Sequence, residues 1–313
     1  MPQDIRQSPQ FAQYLKDIGW KIDKVGKWYV YIRQFPILGS MVKIQRVDPS
    51  ISIQDVQEIA KKYRAFKTVL ELNCELRIAN SEFERAGFKV TDDIYSPSKS
   101  IQIDLRGSED EIFNRFSEAK RRAVRRALKN NIIVRESDEI DAFIDLKWGK
   151  GLISWMFRKN QRTLWKNFSP MDATVLLAYE NLNYEVRSMN YGEESKKNIL
   201  NSKFTTHNSS HSNEPVGGIL MLFNKNVAYY WQACASLEGK KLFSPSLLVW
   251  EALKLSKKRG CTLFDFEGIA DERFPKASQS WWGFTKFKEG FGGKEILYPG
   301  PLVRSSFSFK ITL

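Results

Sequence analysis

The chain has 313 residues, 42% of them hydrophobic, which is enough to bury a core in about two ordinary domains and excludes a disordered chain. No apolar run approaches the roughly 18 residues that span a bilayer, and the polar start "MPQDIRQSPQ" is not a secretory signal, so a cytoplasmic protein is expected. With 49 Lys and Arg against 36 Asp and Glu, the formal charge of +13 favours polyanionic partners: nucleic acid, anionic headgroups or nucleotide-linked substrates.

In chain order, "KWYVYIRQFP" alternates as a strand, "DVQEIAKKYRAF" has helical spacing and "TVLELNCEL" is strand-like. Next, "SIQIDLRGSEDEIFNRFSEAKRRAVRRALKNNIIVRES" reads strand, helix, basic helix, strand. Interleaved strands and helices mean an α/β fold, and a domain boundary is expected after residue 137. From Asp138 to Tyr184 helical patterns dominate, "NYEVRSMNY" opens a second strand series, and the Ser/Asn/Lys-rich stretch 192–213 is too polar for a core and is expected to be a mobile insertion. Two strands follow, "VGGILMLF" and "VAYYWQACAS", then the helix "SPSLLVWEALKLSKKRG", with Ser244 as N-cap, Pro245 at the first position and Gly260 as stop, then the strand "CTLFDFEG".

The three cysteines, Cys74, Cys234 and Cys261, are odd in number and form no CxxC pair, so reduced core thiols are expected. His207 and His211, the only histidines, fall in the polar insertion, which gives neither a metal site nor a histidine base held by a rigid scaffold. On the basic helix Ala119, Ala123, Ala127, Val124 and Leu128 are expected to form the apolar face, while Lys120, Arg121, Arg122, Arg125, Arg126 and Lys129 crowd the rest. That charge run reads either as a solvated face or as a phosphate-contacting one. In "LFDFEG", Phe264 and Phe266 share one strand face and Asp265 and Glu267 the other, the carboxylates serving to fix the following loop rather than as an acid/base pair.

The stretch "WWGFTKFKEGFGGKEILYPGP" looks too irregular for a helix and too aromatic for a surface loop. Its glycines would allow close backbone approach to a ligand, and Lys288 among aromatics would stabilise developing negative charge, or else is a solvated turn lysine.

Taken together, "SPSLLVWEALKLSKKRGCTLFDFEGI", "GFTKFKEGFGG" and the aromatic-Pro-Gly ending resemble the C-terminal signature of the Fem-type aminoacyltransferases of peptidoglycan cross-bridge synthesis. "QSPQFAQYLKDIGWK" and "AKRRAVRRALKNNIIVRES" are similar to that family's N-terminal pattern and basic helix. The resemblance implies two GNAT-like domains with mixed sheets flanked by helices: 1–137, with 296–313 packing back on it, and 138–295. It further implies transfer of an amino acid from aminoacyl-tRNA to an amino group of a UDP-linked or lipid-linked muramyl peptide, by a monomer touching the inner membrane face, without metal or cofactor. By resemblance Phe287 and Lys288 lie at the transfer site and Lys16 contacts the precursor's phosphates. Tyr230, with Tyr229 as alternate, and one of Arg158 and Arg162 bind the precursor, and the four helix arginines meet tRNA. The long charged heptad hairpin of some members is absent, and "KIQRVDPS" departs from the family's glycine-proline turn. Two other readings are an acyl-CoA-dependent GNAT enzyme, although no Gly-rich pyrophosphate loop precedes "SLLVWEALKL", and a non-enzymatic RNA-binding protein, although no RNP1 or GxxG motif is present.

Overall fold

The computed structural model describes residues 2–74, 81–149, 155–181 and 214–305. The expected strand at 183–191, the insertion 192–213 with His207 and His211, and the last eight residues lie outside them.

The first domain begins with a 3₁₀ turn, Ile5–Gln7, and α1 (Pro9–Asp17), capped by the Ser8 side chain. Strands β1 (Lys21–Val25), β2 (Trp28–Phe35) and β3 (Gly39–Val47) form an antiparallel meander. Helix α2 (Ile53–Lys62) carries the chain over to β4 (Ala65–Leu72), which pairs in parallel with β3. After α3 (Ser81–Arg85) and the short β5 (Lys89–Val90), the last described strand, β13 (Leu302–Ser305), returns from the far end of the chain to pair with both β4 and β5. The sheet order is β1-β2-β3-β4-β13-β5. Its core is Val30, Ile32, Val42, Ile44 and Leu70 against Val56 and Ile59 of α2, with Phe83 and Phe88.

The second sheet starts earlier than residue 138. Strand β6 (Lys99–Asp104) already belongs to it, as do the elements that follow: α4 (Glu109–Asn114), the basic α5 (Glu118–Lys129) and β7 (Ile132–Ser137). The change of sheet therefore falls between β5 and β6, because β6 finds its partners in strands from the end of the chain rather than in the meander before it. Helices α6 (Ile140–Trp148) and α7 (Trp155–Phe168) come next, then β8 (Ala173–Glu180), β9 (Gly217–Asn224) and β10 (Val227–Ala235). Helices α8 (Leu237–Lys241) and α9 (Ser244–Lys258), strand β11 (Leu263–Gly268), α10 (Trp282–Glu289) and β12 (Lys294–Leu297) complete the order β12-β6-β11-β10-β9-β8-β7.

Two expectations fail locally. "ATVLLAYE", read as part of a helical region, is the inner strand β8, between β7 and β9. Its apolar run is continuous because both faces are covered, Leu176 and Ala178 by the α5/α9 layer and Val175 and Leu177 by α6 and α7, and such a run has no periodicity to separate it from a buried helix. In α9, the N-cap is Phe243 in the left-handed region rather than Ser244, whose hydroxyl is fully buried and unbonded, whereas Gly260, at φ 80, ends the helix as expected.

Each sheet contains one parallel pair joined by a helix, β3-α2-β4 and β10-α9-β11, so the two halves share the same strand, helix, strand unit. The N-terminal turn wedges them together. Gln7 bonds to the backbone of Tyr29 and Gln45 in the first sheet, and Tyr229 of the second sheet accepts from Ile5 N at 3.3 Å. Between them Arg6, nearly buried, pairs with Asp4 at 3.1 Å and with Glu267 of β11 at 2.6 Å. Replacing Arg6 with Ala should strand two buried carboxylates and cost about 3–5 kcal/mol of stability in urea unfolding, whereas Lys62→Ala, which loses an exposed pair to Asp23, should cost less than about 1 kcal/mol.

Candidate active site

The segment from Trp281 does form a helix. In α10, Thr285 and Lys288 face inward and Trp282 and Phe284 face out, so its mixed composition reflects one buried and one open side. The glycines after it serve packing rather than ligand approach. A Cβ on Gly292 would lie 2.5 Å from the Arg115 carbonyl oxygen, one on Gly293 2.7 Å from Ile101, and one on Gly290 2.8 Å from the Lys120 side chain.

Lys288 is only 7% exposed. Its Nζ donates to the Phe266 carbonyl at 2.8 Å and the Gly268 carbonyl at 2.6 Å, and lies 4.6 Å from the Phe284 ring centre and 5.5 Å from that of Tyr230. Burial pulls its pKa down from the ordinary 10.5 to about 8, against the opposing pull of Glu267 and Asp265. An ammonium has three N–H donors, so one remains for a ligand. Lys288 is thus neither a solvated turn residue nor a freely swinging cation.

A second cation closes the other side of the aromatic cluster. Lys120 of α5 places its Nζ 3.9 Å from the centre of the Phe287 ring and 5.3 Å from that of Phe291, and burial lowers its pKa to about 8 as well. The sequence carried a signal for this that the charge run hid: Lys120, Val124 and Ala127 stand at i, i+4, i+7, the spacing of one helix face. Val124 and Ala127 form the buried face, whereas Ala119, expected there, is exposed.

Strands β10 and β11 pair only from Val227 to Tyr229 against Leu263 to Asp265. Beyond that point β10 has an irregularity at Tyr230/Gln232 and β11 one between Asp265 and Gly268, with Glu267 at φ 58. Alternation sends Tyr230 to the α5/α9 side, with its ring 5.4 Å from that of Phe266 beside Lys288, and sends Tyr229 and Trp231 to the opposite side, facing the first domain. Asp265 and Glu267 point the same way as Tyr229. Asp265 accepts from Ser100, Gln102 and the Glu267 N–H, and Glu267 from Arg6, the bracing role expected of them. Burial raises the pKa of Glu267 while Arg6 opposes it.

On that opposite side lies a cleft of about 310 Å³ between the domains, walled by Tyr14, Trp20, Tyr31, Tyr95 and Trp231, with Lys43, Gln45 and Arg6 as its polar groups. Lys43 Nζ stands 5.5 Å from Trp20 and 5.0 Å from Tyr95, its pKa lowered by burial. Arg6 lies over Trp231 at 5.2 Å and holds Glu267, which sits between the two residues whose carbonyls hold Lys288. One backbone segment therefore joins the cleft to the buried lysine. Lys43, Arg6 and Trp231 were not singled out from the sequence, because each gains its meaning from residues well separated from it along the chain.

The remaining expected residues are scattered. Lys16 is exposed on α1 beyond the cleft wall formed by its neighbours Tyr14 and Leu15. Arg158 pairs with Asp145 at 2.6 Å and Arg162 with Asp141 at 2.7 Å, so both brace α7 against α6 and neither lines the cleft. Tyr229 is buried and spends its hydroxyl on the N-terminal turn. On α5, Arg121 is occupied by the Asn114 and Phe116 carbonyls and Arg122 is 3.5 Å from Glu118, while Arg125 and Arg126 are exposed. Cys74 and Cys234 are half-buried and Cys261 is buried, and burial pushes the last two up to about 11, as inert core thiols require. Among the described residues no His/Cys/Asp/Glu group could hold a metal ion.

Residues 180–304 match the model of the FemAB family, a span that runs through β9, β10, α9, β11, α10 and β12 to β13. Among solved structures, FemX aligns over 97% of this chain and 93% of its own, with a TM-score of 0.71 and 16% identity. L-PGS from Bacillus licheniformis aligns over 96% of this chain and 88% of its own, with a TM-score of 0.56 and 13% identity. A comparison with curated protein sequences finds no match. FemAB-family sequence thus runs across residues 180–304, and nearly the whole chain shares its two-sheet α/β fold with FemX.

Proposed function

We propose that the protein transfers an amino acid from aminoacyl-tRNA to an amino group of a peptidoglycan precursor, the acceptor entering by the aromatic cleft and the aminoacyl ester by the α5/α10 side. The observation that carries this reading is the buried Lys288 ammonium at the parting of β10 and β11, one strand's thickness from the cleft and tied to it through Glu267 and Arg6. The acceptor nitrogen attacks the ester carbonyl, the C–N bond forms, and the carbonyl oxygen takes the negative charge. Collapse of that intermediate breaks the ester C–O bond, and the proton lost by the amine ends on the ribose oxygen. Lys288 and Lys120 oppose the developing charge in surroundings dry enough for it to count. Lys43 and the aromatic walls fit a phosphate-bearing, sugar-containing acceptor. Arg125 and Arg126 remain available for tRNA phosphates.

An acyl-CoA donor would place its diphosphate at the start of the helix after β10, since free N–H groups at a helix N-terminus bind phosphate. Here Pro245 supplies no N–H, Ser244 is fully buried, and Gly239 of α8 lies against the Ser244 hydroxyl, so the position is filled by the chain itself. That supports an acyl donor of another kind.

Lys288→Met should reduce single-turnover transfer by about 10²–10³ while the dissociation constant of the precursor changes little, since the charge acts on an oxyanion formed only during reaction. Wild-type and variant rates that coincide would remove the lysine from the chemistry. Both lysine charges are present below pH about 8 and lost above it, so the wild-type rate should fall on the alkaline side with a midpoint near 8, a limb that Lys288→Met should weaken and that Lys288→Met combined with Lys120→Met should lack. Charge reversal at Arg125 and Arg126 together should flatten the salt dependence of tRNA binding by about two in the log–log slope, with folding intact because Val124 and Ala127 are untouched. An unchanged slope returns α5 to a solvated face.

A further inference from the structure

The turn between β2 and β3 is Pro36, Ile37 and Leu38, which with Phe35 at the end of β2 makes four apolar residues in succession at the hairpin tip, and the fold leaves them in water. Ile37 is 100% exposed, Leu38 68% and Phe35 39%. Ile37 also adopts φ 72, with the Leu38 N–H donating to the Pro36 carbonyl at 2.8 Å across it. That three-residue turn is costly for a β-branched side chain, and exposed hairpin turns ordinarily take Asn, Asp or Gly. Within the chain, the tip's ring contact is that of Phe35 with Phe66, at 5.7 Å. Strain and exposure on this scale gain nothing for the folded monomer.

We propose that this tip is a membrane-docking element that inserts into the headgroup layer of an anionic bilayer. Its surroundings carry the matching charge. The base of the hairpin is stitched to the end of α2, where the Ser40 N–H donates to the Arg64 carbonyl at 3.2 Å and the Ser40 hydroxyl to that of Tyr63. This sets Lys61 and Arg64, both exposed and neither paired with a carboxylate among the described residues, beside the apolar tip. Apolar side chains for the acyl boundary, bordered by cations for anionic headgroups, are the combination that a bilayer surface selects. No helix among the described residues is long and apolar enough to cross a membrane, so this contact is one of surface docking. Four tip residues fall well short of the ~800 Å² per partner that a stable protein interface buries, which disfavours a second copy as the occupant.

The tip also bears on the acceptor, an extension that rests on the transfer reading above. Lys43 of the cleft lies four residues along β3 from Gly39, roughly 13 Å from the turn. Docking would hold the mouth of the cleft at the headgroup layer, where a lipid-linked rather than a nucleotide-linked precursor presents its amino group.

The test is sedimentation of the full chain with phosphatidylglycerol–phosphatidylcholine vesicles and with pure phosphatidylcholine vesicles, for wild type, Ile37→Ser/Leu38→Ser and Lys61→Gln/Arg64→Gln. Wild type should prefer the anionic vesicles. The apolar double variant should bind them about tenfold to a hundredfold more weakly with its melting temperature undiminished, and the cation variant should lose affinity together with salt dependence. Equal binding by wild type and the apolar variant overturns the docking element, as does equal wild-type binding to both vesicle types. A wild-type dimer in gel filtration that the apolar variant dissolves, without vesicle binding, overturns it in favour of self-association. In the transfer assay, the apolar variant should keep its rate on a soluble nucleotide-linked acceptor and lose it on a vesicle-embedded one; a wild type active only on the soluble acceptor overturns the lipid-linked assignment. Vesicle binding by a chain that transfers nothing supports the docking element and removes the transfer reading alone.

Discussion

A guanidinium taken out of water must be paired on every side, and Arg6 is the residue on which that demand falls in this protein. It lies between Asp4, Glu267 and the face of Trp231, with Arg46 a further 3.9 Å from Asp4. The partners come from the N-terminal turn, from β11 and from β10, so satisfying one charge brings together segments more than 200 residues apart. A buried pair of this kind gives little net stability against an apolar alternative, and its value lies in fixing one arrangement. Here that arrangement is the seat of β11 beneath the first domain.

From that seat the rest of the site follows. Glu267 faces Arg6, which obliges Phe266 to turn to the other side and leaves the Phe266 and Gly268 carbonyls without ladder partners in β10. Buried carbonyls need donors, and Lys288 supplies both bonds from the last turn of α10. Parting of the strands, the held lysine and the braced carboxylate are thus consequences of one another. The same alternation along β10 separates Trp231, which walls the cleft, from Tyr230, which packs by the lysine.

Charge is distributed by the same logic. Lys120 and Lys288 both lie against aromatic rings rather than carboxylates, and burial holds both well below the ordinary lysine range. Carrying two such cations near one cluster costs folding free energy that a neutral core would not. An anionic ligand or intermediate is what would recover it.

Much was legible in the chain itself. Strong periodicity gave α2, α5 and α9, alternation gave β2 and the opposed faces of Phe264/Phe266 and Asp265/Glu267, and a dense local motif pointed to Lys288, because each depends on neighbours within a turn or two. What local spacing cannot encode was decided by tertiary structure. The sheet change between β5 and β6 and the return of β13 depend on strand pairing across some 200 residues, and β8 lost its periodic signal to burial on both faces. Lys43 and Arg6 lie near the start of the chain and Trp231 far beyond them, so no window of sequence contains the cleft. For Lys288 the local motif leaves a charge for the transition state and a solvated turn lysine both open, and its two carbonyl partners are set by the path of β11, which only the packing of Glu267 on Arg6 determines.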